Sequence, residues 1–148
     1  KDYPQVPIEV IPGVTAALSG AAVLGAPLGH DFCVLSLSDL LTPWTLIEKR
    51  LQCAVAGDFA LCLYNPASHR RKDHLQRAVD LLLAAGKSPQ TPCATVRNIA
   101  RPGQEAQFYT LETLRQAPVD MFTTVFIGSS TTRQERSWLI TPRGYHSV

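Results

Sequence analysis

The chain has 148 residues, 45% of them hydrophobic and 18% charged, and a formal charge of +2. This length predicts one domain with a real core, and so weak a positive balance gives no grounds for a nucleic-acid or membrane partner. Cys33, Cys53, Cys62 and Cys93 form no CxxC pair, which argues against a zinc or redox motif and for buried, reduced thiols in a cytoplasmic protein.

The opening "KDYPQVPIEVIPG" has no initiator Met and enters a strand-like "IEVI" at residues 8–11. It reads as the middle of a longer protein. Residues 1–12 are expected to be a strand and linker between domains, and 13–148 a single domain. Residues 10–29 carry no charge, but Pro12, Pro27 and four glycines interrupt them. A membrane helix needs ~20 strongly apolar residues, and Glu9 stands where a signal sequence is basic. The segment reads instead as a turn at 12–13 and a helix over 14–24. Its Ala16, Ala17, Gly20, Ala21 and Ala22 allow another backbone to approach closely.

"FCVLSL" predicts a strand over 32–37, and "SDLLTPW" a loop. Leu46, Ile47, Leu51 and Val55 recur at helical spacing over 45–56. "DFALCL" predicts a strand over 58–63, which breaks into Tyr64-Asn65-Pro66 and a basic run at His69, Arg70 and Arg71. Leu75, Val79 and Leu82 mark a helix over 73–85 that Gly86 stops. Strands follow over 92–96, over 107–111 with a helical turn at 112–116, and over 123–127. The tail from 138 to 148 reads as polar and loose. Alternating strands and helices give an α/β class. The unbroken apolar strand cores predict a sheet covered on both faces.

In open α/β sheets, ligands bind beyond the carboxyl ends of strands. The segments there are Ser38-Asp39 with Thr42-Pro43-Trp44, Tyr64-Asn65-Pro66-Ala67-Ser68, Arg97-Asn98, and residues 128–132. None contains a Ser/His/Asp set, a carboxylate pair or a Walker-type glycine loop. His69 and His74 lie on different helical faces, so no metal site and no catalytic residue is identified. What remains is positioning by hydrogen bonds. Plain structural readings stand beside this one. Tyr64-Asn65-Pro66 suits a strand-to-helix turn, residues 70–72 suit a solvated helix start, Trp44 suits a core anchor, and Thr123 and Thr124 suit a strand.

The stretch "IEVIPGVTAALSGAAVLGAPLG" resembles the junction between the two domains of the tetrapyrrole methylase superfamily. "SLSDLLTPW", "LYNPASHRR" and "DMFTTVFIGSSTT" resemble the C17-methyltransferases of corrin synthesis, which act on precorrin-3B or its cobalt counterpart. The resemblance runs from residue 8 to 138. It implies a mixed, mostly five-stranded sheet with helices on both faces. It also implies methyl transfer from S-adenosylmethionine to C17, linked to ring contraction, in cobalamin biosynthesis. The family's "GxGPG" loop and "GDP"-type motif are not in this chain, so the resemblance covers the C-terminal domain only. An N-terminal partner domain and a homodimer are implied.

Carried over by position, the cofactor contacts fall on Tyr64, Asn65, Pro66, Ala94, Thr95, Asn98, Phe122, Thr123 and Thr124. For a substrate bearing many carboxylates, the planar fork of arginine is suited. The candidates are Arg70, Arg71, Arg97 and Arg101, with Ser68 and Asp39 as hydrogen-bond partners and Trp44 stacking on the macrocycle. Two other readings stand. One is an RNA ribose methyltransferase, for which the charge is weak. The other is a non-enzymatic dimerisation module built on the small-residue helix.

Overall fold

The computed structural model describes residues 5–68 and 72–144. In chain order the elements are α1 (Ala16–Leu24), β1 (Gly25–Ala26), β2 (Phe32–Ser36), α2 (Trp44–Ala56), β3 (Ala60–Tyr64), α3 (His74–Ala84), β4 (Pro92–Arg97), β5 (Glu105–Thr110), α4 (Leu111–Leu114), β6 (Thr123–Ile127), β7 (Arg133–Glu135) and β8 (Trp138–Ile140). The main sheet has the order β2-β3-β6-β4-β5. β2 and β3 are parallel, β6 is antiparallel to both β3 and β4, and β5 is antiparallel to β4. The carboxyl ends of β2, β3 and β4 therefore meet the start of β6 on one edge.

Central strands are covered on both faces, which is why β3, β4 and β6 read as unbroken apolar runs. On one face Ile47, Leu51, Leu75, Val79 and Leu82 of α2 and α3 pack on Leu61, Leu63, Val125 and Ile127. On the other, Ala17, Ala21 and Leu24 of α1 pack on Cys62, Ala94, Val96 and Phe126. The small residues of α1 serve this close approach. A Cβ on Gly20 would lie 2.7 Å from Phe126 Cζ and 3.0 Å from Ile99 Cδ1.

Two expectations are corrected. Residues 8–11 form no strand, and Ile8, Val10 and Ile11 are 89%, 87% and 78% exposed. A strand needs a ladder partner, and none of the described residues pairs with this segment. The stretch from 138 is not loose either. β8 pairs antiparallel with β7 and parallel with β1, and Leu139 is buried in the core beneath α1. The Thr141 hydroxyl donates to the Pro27 carbonyl at 2.6 Å. Residues 145–148 lie outside the described residues. A smaller shift occurs at Asp58. Its φ of +51° turns the chain, so β3 starts at Ala60. The Asp58 carboxylate accepts from the backbone N–H and hydroxyl of Ser130.

All four cysteines are free. Burial pushes the Cys62 and Cys93 thiols up to about 12. A buried thiol at that level is inert towards electrophiles. Thiol-specific labelling of the native protein is expected to modify exposed Cys53 first. Cys62 and Cys93 should react only after unfolding, as peptide mapping of the labelled protein would show.

Candidate functional site

The turns after β3 and β4 are built alike. Asn65 follows β3 at φ +54° and Asn98 follows β4 at φ +51°. This left-handed region is unfavourable for most side chains and tolerated by asparagine. Both turns bend sharply off the sheet edge and leave a space between them. Asn65 Nδ2 donates to Ser36 Oγ at 3.0 Å, tying one turn to β2. Asn98 Nδ2 donates to the Gly103 carbonyl at 3.3 Å, and Asn98 N–H donates to the Phe122 carbonyl at 3.2 Å. The second turn is thereby closed on itself and tied to the start of β6.

The resulting cavity has a volume of about 280 Å³. It gathers Tyr64, Asn65, Asn98, Phe122, Thr123 and Thr124, together with Arg101. Ala16, Ile99 and Met121 also line it, and sequence reasoning missed them. Ala16 and Ile99 carry no polar signal, whereas Met121 was readable as the neighbour of Phe122. The Tyr64 hydroxyl accepts from the Ala17 N–H at 2.8 Å and lies 2.5 Å from Thr15 Oγ1, so it caps α1. Tyr64→Phe is expected to cost about 1 kcal/mol by leaving that donor without its phenol partner. Urea unfolding would measure it.

The remaining sequence-derived positions lie elsewhere. Pro66 is buried behind the turn, and Ala94 is wholly buried opposite Phe126. Thr95 and Arg97 line a second hollow of about 360 Å³. Ser68 lines a third, of about 550 Å³, with Lys72, and this one shares Met121 and Phe122 with the cavity. Trp44 is a packing anchor, edge-on to His74 at 4.9 Å with the Arg77 guanidinium 4.1 Å over its ring. Asp39 Oδ2 lies 3.1 Å from His74 Nε2. Arg70 and Arg71 fall outside the described residues.

Residues 1–115 match the family model of the Tetrapyrrole (Corrin/Porphyrin) Methylases. The chain belongs to the tetrapyrrole methylases. It is 51% identical over 141 residues to a Salmonella typhimurium protein named probable cobalt-factor III C(17)-methyltransferase, covering 95% of this chain and 58% of the relative. The solved structure of the methyltransferase CobJ superposes with a TM-score of 0.85 at 38% identity, covering 95% of this chain and 59% of CobJ. A uroporphyrin-III C-methyl transferase from Thermus thermophilus, solved with S-adenyl homocysteine, shares the fold at a TM-score of 0.61 and 22% identity over 84% of this chain and 53% of its own. This tetrapyrrole methylase chain thus spans somewhat over half the length of each of these three relatives. No helix among its described residues is long and apolar enough to cross a membrane.

Asp120 lies outside the cavity but braces two residues that line it, Phe122 and Thr123. Its carboxylate accepts from Arg97 Nε at 2.7 Å, Thr123 Oγ1 at 2.8 Å and the Phe122 N–H at 2.9 Å. Burial alone raises this carboxyl. The Arg97, Thr123 and Phe122 hydrogen bonds outweigh that and hold it below the usual range. A depressed folded value means that the carboxylate contributes stability above its unfolded pKa of about 3.9 and loses it as pH falls through the folded value. Asp120→Asn is therefore expected to be less stable than wild type at neutral pH, with the gap in Tm closing below about pH 4. A gap independent of pH would dismiss this account.

Proposed function

We propose that this chain is the C-terminal part of an S-adenosylmethionine-dependent methyltransferase that acts at C17 of cobalt-factor III in cobalamin biosynthesis, in a step linked to ring contraction. The reading rests on the 51% identity, over 95% of the chain, to the Salmonella protein of that name. The cavity lining suits the cofactor. Amides and hydroxyls at Asn65, Asn98, Thr123 and Thr124 stand beside apolar Ile99, Met121 and Phe122. That mixture suits a molecule with polar ends and an apolar sulfur centre.

In this reading the cofactor, when bound, supplies an electrophilic methyl group whose leaving thioether needs no proton. What falls to the protein is alignment, worth up to about 7–11 kcal/mol of the barrier. The Asn65 and Asn98 turns and the backbone of residues 122–124 would orient the cofactor. Arg101 would hold a carboxylate of the tetrapyrrole through its planar fork. An N-terminal domain carrying a glycine-rich loop would close the other side of the cleft. Ile8, Val10, Ile11, Val14 and Leu18, exposed by 52–89%, support packing of that domain or of a second subunit of a cytoplasmic homodimer.

The test is transfer of a labelled methyl group to cobalt-factor III by the chain joined to its N-terminal domain, with calorimetry of S-adenosylhomocysteine alongside. Label on the macrocycle and tight binding are expected. Neither transfer nor binding would end this reading.

A further inference from the structure

The loop over residues 38–43 leaves the sheet at the same edge as the cavity. Ser36, the last residue of β2, stands in register with Tyr64, and the Leu37 N–H donates to the Tyr64 carbonyl at 2.9 Å. Beyond the buried Leu37, Leu40 and Leu41 are 79% and 93% exposed. Two adjacent leucines held in water on a loop that leaves the same end of the sheet as the cavity are better placed against an apolar surface.

The loop is anchored at both ends by one side chain. His74, at the start of α3, is only 4% exposed. Its Nε2 lies 3.1 Å from Asp39 Oδ2 and its Nδ1 lies 3.4 Å from Asp73 Oδ1, within ion-pair reach but off the hydrogen-bond directions. Its ring meets the edge of Trp44, which follows the loop directly. Arg77 covers the Trp44 ring and keeps that anchor in place. A buried imidazole is costly unless its polar atoms meet partners, and here the partner on the loop side is Asp39.

We propose that His74 is a positioning residue. Set between Asp39 and Trp44, it holds residues 38–43 so that Leu40 and Leu41 meet the apolar face of the tetrapyrrole macrocycle. This rests on the function proposed above. The macrocycle is the occupant because the loop leaves β2 beside the cavity, where Ser36 accepts from Asn65 of its lining. Cationic Arg101 and Lys72, lining the cavity and the hollow that adjoins it, suit the carboxylates of the ring periphery.

The test uses the two-domain enzyme. Changing both Leu40→Ser and Leu41→Ser is expected to raise KM for the macrocycle about tenfold or more, with kcat and S-adenosylhomocysteine affinity unchanged. His74→Gln and Asp39→Asn should each raise the same KM. Their combination should cost no more than the worse single change, as for two groups acting through one contact. Because S-adenosylhomocysteine binding reports a folded site, a His74→Gln variant that loses it is set aside, and Asp39→Asn with the leucine pair decides.

An unchanged KM in the leucine variant, or a fall in Tm in its place, overturns the proposal and assigns these leucines to packing. A KM change confined to the leucine variant overturns the role of His74 alone. An enzyme that transfers methyl normally while all variants match wild type removes this inference and leaves the function standing. A wild-type enzyme that transfers nothing removes both.

Discussion

Phe126→Ala is expected to lower the free energy of unfolding by about 3–5 kcal/mol. Phe126 is the fourth residue of β6, fully buried, between Cys62 of β3 and Ala94 of β4. Its ring is the surface on which Gly20 of α1 rests. Removing it leaves a cavity under a helix whose small residues cannot collapse to fill it. For a domain whose total stability is about 5–15 kcal/mol, the loss is a large fraction. The effect should reach the site as well, because Ala16 of α1 and Ile99, which also approaches Gly20, both line the cavity. Urea unfolding followed by circular dichroism would measure it as a lower midpoint at constant slope. A loss below about 1 kcal/mol would mean that α1 is not seated on this ring.

Thr124→Phe is expected to weaken S-adenosylhomocysteine binding by about a hundredfold or more, equivalent to roughly 3 kcal/mol. Thr124 is the second residue of β6, opposite Val96 in register, and it lines the cavity. A phenyl group there occupies much of a space of about 280 Å³. Ala16→Trp should block the same space from an exposed turn of α1, with every residue of β6 left unchanged. The pair separates occlusion from misfolding. Retained affinity in both folded variants would remove this cavity from the cofactor site.

The sequence by itself determined the parts that depend on near neighbours. β3, β4 and β6 were legible as apolar runs because strands buried on both faces need apolar residues at every position. α3 was legible from Leu75, Val79 and Leu82 on one face, and its end from Gly86, which adopts φ +97°. The small residues of α1 announced a close approach, although not that Phe126 would be its target. The motifs "LYNPAS" and "DMFTT" marked both sides of the cavity, because short polar turns at strand ends are where ligands can reach the backbone.

Only the tertiary structure decided what depends on pairing across long separations. Residues 8–11 have strand-like composition, yet without a ladder partner they remain irregular. β8 forms because the two residues of β1, more than a hundred positions earlier, offer it an edge. The strand period of two sets Ala94 into the core and Thr95 towards another hollow, and the register with β6 chooses which face is which. Arg97 is committed to Asp120, Asp39 faces His74, and Trp44 lies under Arg77. In each case the partner is 23 or more positions away, so no local pattern carries the choice. Composition and spacing decide which residues are apolar, which turn and which are charged; the packing of α3 against the sheet and the place of β6 within it decide which of those charges face a ligand and which hold one another.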